Sequence, residues 1–401
     1  MRVLVADSFE ASGLEGLRAL GCEVLYEPKL EGETLGERLA AARPEVLVVR
    51  STKVTAKEIE RAPALALIVR AGAGVNTIDL AAASARAVAV SNCPGKNSVA
   101  VAELTWGLIL ALDRRIPEQT ADLRAGLWKK AEYGKAKGLA GRTLGVVGLG
   151  AIGREVVHRA RAFGLPVLAF SRSLDAYEAA RLGVTPAATL EELASGSDVV
   201  SVHLALTKET KGLLSASFFA AMKPGAFFVN TSRGEVVDEA ALARAISEKG
   251  IRAGLDVFAA EPAGGTGTFD DPIAKSPAVI GTHHVGASTE QAQNAIAAET
   301  VRIVEAFLTT GDVPNAVNLT DRTPATHLLA VRHRDRVGVL AHVFAELREA
   351  GINVEQTENV VFEGAAAACA RIQVDRAPSG EVLRRIETGN PDVFSVTLTP
   401  I

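Results

Sequence analysis

The feature that most constrains this chain is the run Gly148-Leu149-Gly150-Ala151-Ile152-Gly153. It follows an apolar segment, Leu144 to Val147, and opens an amphipathic one, Arg154 to Phe163. Strand, glycine-rich turn and helix in that order build the phosphate-binding corner of a dinucleotide fold. Gly148 permits the tight turn, Gly150 lets backbone approach a pyrophosphate, and Gly153 lets helix and strand pack closely. The first helical residues, Ala151 and Ile152, then offer N–H groups and a partial positive charge to phosphate. The next apolar run, Pro166 to Phe170, leads into Ser171-Arg172-Ser173. An acidic residue near this point would hold the ribose hydroxyls of NAD, but Ser171 stands there. Ser171 and Arg172 suit a 2′-phosphate, so the expected cofactor is NAD or NADP, leaning toward NADP.

The rest of the chain alternates short apolar runs with helical stretches. Before the glycine turn, strands are expected at Val3–Ala6, Val46–Val49, Leu67–Val69 and Ala87–Val90, with a helix over Leu14–Leu20. A long apolar helix, Ser98–Leu112, precedes a polar stretch from Asp113 to Gly141. After the turn, strands are expected at Val199–Leu204, Ala226–Asn230 and Ile251–Val257. This alternation predicts parallel sheets covered on both faces. A helix near Ser288–Thr309 comes late for the nucleotide sheet and is expected to return to the first domain. Gly311 to Thr326, with Pro314 and Pro324, reads as a linker. Beyond it the pattern becomes β-α-β-β-α-β, the ferredoxin-like order. The expected fold is therefore α/β, with two Rossmann-like doubly wound parallel-sheet domains and a C-terminal ferredoxin-like module. Residues 1–96 and 288–318 would form a discontinuous substrate-binding domain, 97–287 the dinucleotide-binding domain, and 326–401 the C-terminal module.

Composition narrows the classes. The chain has 401 residues, 48% hydrophobic and 22% charged, which argues against disorder and coiled coil. A net charge of −4 argues against a dedicated nucleic-acid binder. The three cysteines, Cys22, Cys93 and Cys369, form no CxxC pair, so no metal site or disulfide framework is expected and a reducing cytoplasm fits. No apolar run is long enough to suggest a membrane span. Trp106 and Trp128 read as packing residues.

Three segments past the glycine turn carry chemistry: Asn230-Thr231-Ser232-Arg233-Gly234, Gly254-Leu255-Asp256 through Glu261-Pro262, and Thr282-His283-His284-Val285-Gly286. Each follows an expected strand, where open α/β sheets bind ligands. An Arg, a Glu and a His suit alcohol oxidation with hydride transfer. Arg holds a substrate carboxylate in a planar fork. His exchanges the hydroxyl proton, and Glu orients the imidazole.

Together these segments closely resemble the D-isomer-specific 2-hydroxyacid dehydrogenases, along nearly the whole chain. The resemblance implies that Arg233, Glu261 and His284 are catalytic. His284 is chosen over His283 because it directly precedes Val285-Gly286. It also implies that Asp256, Thr231 and Ser232 contact the cofactor. Val49–Thr55 and Arg70–Val75 resemble the family's substrate loops. Backbone at Gly72, Gly74 and Val75 would hold a carboxylate, Arg50 and Arg70 a phosphate, and Asn97 would contact substrate near a hinge. The implied reaction is hydride transfer between 3-phosphoglycerate and the nicotinamide, giving 3-phosphohydroxypyruvate, the first step of serine synthesis. Glyoxylate or hydroxypyruvate reduction is the alternative, and a non-catalytic NAD-sensing corepressor is a third reading. Residues 326–401 resemble an ACT domain, which implies a serine effector bound by His333, Asp335 and Asn353. The family implies a homodimer, and pairing of ACT domains a homotetramer.

Overall fold

A computed structural model describes residues 1–262, 266–320 and 322–401. Two compact units divide it, Met1–Asn318 and Leu319–Ile401.

The larger unit holds two parallel sheets. The first contains β1 (Arg2–Val5), β2 (Glu23–Tyr26), β3 (Val46–Val49), β4 (Leu67–Arg70) and β5 (Ala89–Asn92), in the order β2-β1-β3-β4-β5. Four short helices connect these strands: α1 (Ala11–Ala19), α2 (Gly32–Ala42), α3 (Ala56–Glu60) and α4 (Leu80–Ala85). Val46–Val49 is buried on both faces, as an unbroken β-branched and leucine run requires in a covered parallel sheet. The edge strand β2 was not expected, because Glu23-Val24-Leu25-Tyr26 carries no buried residue that would mark it. β5 starts later than the apolar run suggests, since Ala87 takes a left-handed φ of 55° and closes the turn after α4.

The chain then crosses through α5 (Ser98–Arg114) into α6 (Ile116–Arg124) and α7 (Lys130–Tyr133), two helices within the stretch read only as polar. Pro117 in the first turn of α6 starts that helix at no hydrogen-bonding cost. Trp106 is buried on α5, stacked 4.5 Å from Phe163. Trp128 is 80% exposed, so the expectation that it packs is corrected.

The second sheet runs β12-β11-β10-β9-β6-β7-β8. Its strands are β6 (Leu144–Val147), β7 (Val167–Phe170), β8 (Thr185–Pro186), β9 (Val199–Val202), β10 (Phe227–Asn230), β11 (Arg252–Leu255) and β12 (Val279–Gly281). The helices between them are α8 (Ala151–Ala162), α9 (Ala176–Leu182), α10 (Leu190–Gly196), α11 (Ala216–Ala221) and α12 (Glu239–Lys249). The order reverses direction at β6, so the crevice beside the glycine turn lies at a topological switch point.

Helix α13 (Glu290–Thr310) packs on the first sheet. Its Ile303 and Val304 are fully buried with Val3, Val5 and Leu17. Burial of such side chains is worth about 1.5–3 kcal/mol each. Gly16 on α1 permits the approach, because a Cβ there would stand 2.8 Å from Val301 Cγ2. The linker reading from Gly311 is corrected at its start. Val317 N–H donates to Val90 O at 2.8 Å, and Asn318 Oδ1 accepts from Val90 N–H at 2.7 Å, so this segment lies along β5. Asp321, in the same expected linker, lies outside the described residues.

The smaller unit contains β13 (His327–Arg334), α14 (Val339–Glu349), β14 (Val354–Val361), β15 (Ala367–Val374), α15 (Gly380–Thr388) and β16 (Val393–Pro400). Its antiparallel sheet has the order β14-β15-β13-β16. Leu329, Val331, Ile372 and Val374 alternate inward to meet Val343 and Leu347 of α14 and Ile386 of α15. Among the described residues no helix is long and apolar enough to cross a membrane.

Candidate active site

The glycine turn sits between β6 and α8. Gly148 has φ +94°, and a Cβ on it would stand 2.4 Å from His203 O. A Cβ on Gly153 would stand 2.1 Å from Gly148 O, so only glycine lets α8 come this close to β6. A Cβ on Gly150 would meet nothing within 4 Å. Gly150 caps α8 without a side-chain hydrogen bond, so the amides of Ala151, Ile152 and Gly153 lead the helix into open space. That cradle fits a pyrophosphate. Ser171 follows β7 half-buried, and Arg172 is exposed beside it.

The side chains expected to be catalytic come from loops past β10, β11 and β12. Asn230 ends β10, accepts from Ser232 N–H at 3.0 Å and Ser232 Oγ at 2.7 Å, and donates to Arg233 O at 2.9 Å. These bonds turn the backbone and aim Arg233. Gly234 lets this loop press against the next, since a Cβ there would stand 2.0 Å from Phe258 C. Thr231 Oγ1 lies 2.9 Å from Thr105 Oγ1 of α5. Glu261 Oε1 accepts from Phe258 N–H at 3.0 Å, while Oε2 lies 2.7 Å from His284 Nδ1. Burial pushes the Glu261 carboxyl up, but the bonds from His284 and Phe258 outweigh it and hold the group below its ordinary value. Burial lowers the Arg233 guanidinium, with Glu261 and Glu235 opposing.

His284 itself has a left-handed φ of 54°, a strained backbone for a non-glycine residue. Asp256 holds it there. Asp256 O accepts from His284 N–H at 2.8 Å, and the carboxylate accepts from Thr282 Oγ1, Val285 N–H and Gly286 N–H at 2.6, 3.0 and 2.9 Å. Asp256 is 1% exposed, and its carboxylate is engaged by the histidine loop.

Across the cleft stand the loops past β3 and β4. Arg233 reaches Gly74, where a Cβ would stand 2.5 Å from its Nη2, and Arg70 folds over Gly72, where a Cβ would stand 1.7 Å from its Nη1. The glycines are therefore the space the arginines occupy. Burial, then Arg233 and Arg50, push the Arg70 guanidinium down to about 10. Three guanidinium groups gathered this way make a site for a substrate with more than one negative charge. Arg70 Nε and Asn97 Oδ1 are buried polar atoms without a protein partner among the described residues, as groups facing a polar ligand would be. Asn97 opens α5 at the crossing between the sheets.

Sequence reasoning missed Asp7, one position beyond Ala6 at the end of β1. Its carboxylate accepts the backbone N–H groups of Arg50, Ser51 and Thr52 at 2.6, 3.0 and 3.0 Å. An acidic residue directly after a buried strand was the available signal. It also missed His203, directly after β9, with Nε2 2.8 Å from Ser201 Oγ, its Nδ1 without a protein partner among the described residues, and burial pushing it down to about 3. In the smaller unit His333 is 1% exposed, with Nδ1 2.8 Å from Arg334 O and Nε2 3.2 Å from Asn359 Oδ1. Asp335 and Asn353 are exposed, and Asn353 donates to Glu355 Oε1 at 2.7 Å. No hydrogen bond joins His333, Asp335 and Asn353.

A cavity of about 330 Å³ lies elsewhere, lined by Arg115, Tyr133, Arg142, Phe227 and Arg252 at the opposite ends of the strands from the loops of Arg233, Glu261 and His284. No group of three metal-ligating side chains occurs among the described residues.

Residues 106–286 match the NAD-binding domain of the D-isomer specific 2-hydroxyacid dehydrogenases. A solved Polaromonas sp. JS6 66 protein assigned to that family is similar at 31% identity and TM-score 0.70, covering 79% of this chain and 99% of that one. The chain belongs to the D-isomer specific 2-hydroxyacid dehydrogenase family. It is also 40% identical over 321 residues to the D-3-phosphoglycerate dehydrogenase of Methanocaldococcus jannaschii, covering 80% of this chain and 60% of that one. The NAD+-bound 3-phosphoglycerate dehydrogenase of Entamoeba histolytica superposes with TM-score 0.67 at 26% identity, over 80% of this chain and 99% of that one. The chain spans 60 to 66% of the length of the first curated relatives it matches.

Proposed function

We propose that this protein interconverts 3-phosphoglycerate and 3-phosphohydroxypyruvate with a nicotinamide cofactor, the first step of serine synthesis. The observation that carries the reading is the Glu261–His284 pair at 2.7 Å, set in a cleft with Arg233, Arg70 and Arg50. When bound, the nicotinamide takes up or supplies the hydride at substrate C2. Gly148, Gly150, Ala151, Ile152 and Gly153 would hold its pyrophosphate, and Thr231 and Ser232 its far end. Arg233 holds the substrate carboxylate with the backbone of Gly72, Gly74 and Val75. With Nδ1 tied to Glu261, His284 presents Nε2 to the hydroxyl and takes its proton during oxidation. Glu261 stabilises the imidazolium so formed. Arg50 and Arg70 hold the phosphate, which a plain hydroxyacid would not need.

The domains proposed for this work are 1–96 with 288–318 for substrate and 97–287 for dinucleotide. Ser171 and Arg172 favour the 2′-phosphate of NADP over NAD. Residues 326–401 are proposed as an ACT domain. Its buried, doubly bonded His333 makes that ring the less available part of a serine site with Asp335 and Asn353. Exposed Ile116, Leu123, Leu127 and Trp128 support a homodimer, with the smaller units able to extend it to a tetramer. Three free cysteines are compatible with the cytoplasm.

The test is reduction of phosphohydroxypyruvate, glyoxylate and hydroxypyruvate, each with NADH and with NADPH. A strong preference for the phosphorylated acid is expected. Preference for the others makes this a general hydroxyacid reductase, and cofactor binding without turnover makes it a nucleotide sensor. Activity unchanged by millimolar serine would remove the effector role.

A further inference from the structure

The loop Arg50–Thr55 carries one of the cleft arginines yet belongs to no helix or strand of the first sheet. It is nevertheless fixed along its length. At its far end Glu58 Oε2 accepts from Thr55 N–H at 2.7 Å and from Thr55 Oγ1 at 2.6 Å. In its middle Val54 N–H donates to Thr77 O at 2.9 Å. At its near end, beside the cleft, the only side chain holding the backbone of Arg50, Ser51 and Thr52 among the described residues is that of Asp7.

We infer that Asp7 is a positioning residue for substrate: its carboxylate fixes the Arg50–Thr52 backbone and so places the Arg50 side chain on the substrate's charged end. One oxygen, Oδ2, accepts three successive backbone N–H groups, and Oδ1 accepts from Ser51 Oγ at 3.1 Å. Such a concave set of amides binds an anion. Here the anion is supplied by the chain itself, from the neighbouring strand. β1 and β3 pair in parallel, and Ala6 N–H donates to Val48 O at 3.0 Å, so Asp7 emerges beside the loop as both strands end. Burial pushes the carboxyl up, but the bonds from Arg50, Thr52 and Ser51 outweigh it and keep the group ionised through neutral pH. Its charge also acts on Arg70, offsetting part of the repulsion from Arg50 and Arg233. Asp7 touches neither substrate nor cofactor in this scheme and acts through the loop.

The inference rests on the proposed reading that this loop receives the substrate, so its test needs an arm free of turnover. Asp7→Ala, Asp7→Asn and, as a control, Asp79→Ala are compared with the full wild-type chain. The Asp79 side chain caps α4, by accepting from Ala82 N–H at 3.0 Å, while its backbone N–H bond to Val54 O at 2.9 Å survives replacement by alanine. Steady-state reduction is measured with whichever of the three 2-oxoacids the wild type prefers, and hydrogen exchange with peptides spanning 50–52. Asp7→Ala is expected to raise the KM for the oxoacid about tenfold or more while kcat stays within about threefold and the KM for the cofactor is unchanged. Its 50–52 amides exchange faster while those of Val46–Val49 stay protected. Asp7→Asn, whose carbonyl can still accept the three amides, is expected to recover most of the KM. Asp79→Ala is expected to lower the melting temperature and leave the KM alone. An unchanged KM in Asp7→Ala, or unchanged exchange at 50–52, overturns the inference. A wild type that binds NADH but reduces no oxoacid refutes the proposed activity instead, and the exchange result then decides the anchor by itself.

Discussion

Replacing Gly153 and Gly150 singly by alanine should separate the two duties of the glycine turn. A Cβ at 153 would stand 2.1 Å from Gly148 O, about 1 Å inside van der Waals contact with a backbone atom that cannot rotate away. Helix α8 must move off β6 by a similar distance. That opens the packing of Val156 and Val157, both buried against Val146 and Trp106. Overpacking of this kind costs about 1–3 kcal/mol. For the unit Met1–Asn318, roughly 1.5 °C per kcal/mol gives a fall in melting temperature of a few degrees. Gly150 differs. Its φ of −70° suits any residue, and a Cβ there meets nothing within 4 Å. Gly150→Ala should therefore leave the melting temperature unchanged, yet raise the dissociation constant for NADH or NADPH about tenfold by standing where phosphate approaches. Melting by calorimetry and binding by quenching of protein fluorescence check both. A Gly150→Ala protein that melts as early as Gly153→Ala, or that binds dinucleotide as tightly as wild type, would refute the reasoning.

Other outcomes follow from the same geometry. Glu261→Gln leaves the imidazolium without a counter-charge and should lower kcat about 10²-fold or more with a small change in dinucleotide affinity, measured by steady-state kinetics. Arg233→Lys loses the planar fork and should lower kcat/KM about 10- to 100-fold, seen in the same assay. Arg172→Ala should raise the KM for NADPH about tenfold and leave that for NADH near wild type; equal effects on both would exclude a 2′-phosphate contact. Glu299, held down to about 2 chiefly by Arg302, then Asn315 and Lys96, stabilises the fold when ionised. Because its native value lies below the unfolded one, that contribution is full above about pH 4.5 and fades as pH falls toward 2. Glu299→Gln should therefore cost about 1–3 kcal/mol at pH 7 and flatten the loss of stability over that acid range, measured by urea unfolding.

Much of the architecture was legible because buried parallel strands write themselves as unbroken apolar runs. Val46–Val49 and Leu144–Val147 have no exposed residue, so nothing in them competes with the strand reading. β2 and β8 were invisible for the converse reason: at the sheet edges, Glu23–Tyr26 and Thr185–Pro186 bury too little to leave a pattern. The segment after Gly311 looked like a linker because its pairing with β5 uses Asn318 and a single bridge at Ala316, which give no apolar periodicity. The pairing of Glu261 with His284 involves residues 23 positions apart, and only the convergence of the β11 and β12 loops brings them within 2.7 Å.

The two aspartates at strand ends explain why arginine and histidine side chains can be aimed from loops at all. A loop backbone held only by its own turns has several conformations of similar energy, and ordering each residue costs about 1–2 kcal/mol. Charge-assisted bonds to backbone N–H are roughly twice as strong as neutral ones, so a single carboxylate taking two or three of them can fix one conformation. Asp256 does this beside the second sheet, holding His284 at a left-handed φ of 54°, and Asp7 does it beside the first. In each case the carboxylate follows a buried strand, the most rigid part of the unit, and transfers that rigidity to the loop beside it. Under the proposed reading the arrangement also keeps these two negative charges off the substrate's path. Both carboxylates are turned toward amides, leaving the guanidinium groups of Arg50, Arg70 and Arg233 to set the sign of the cleft.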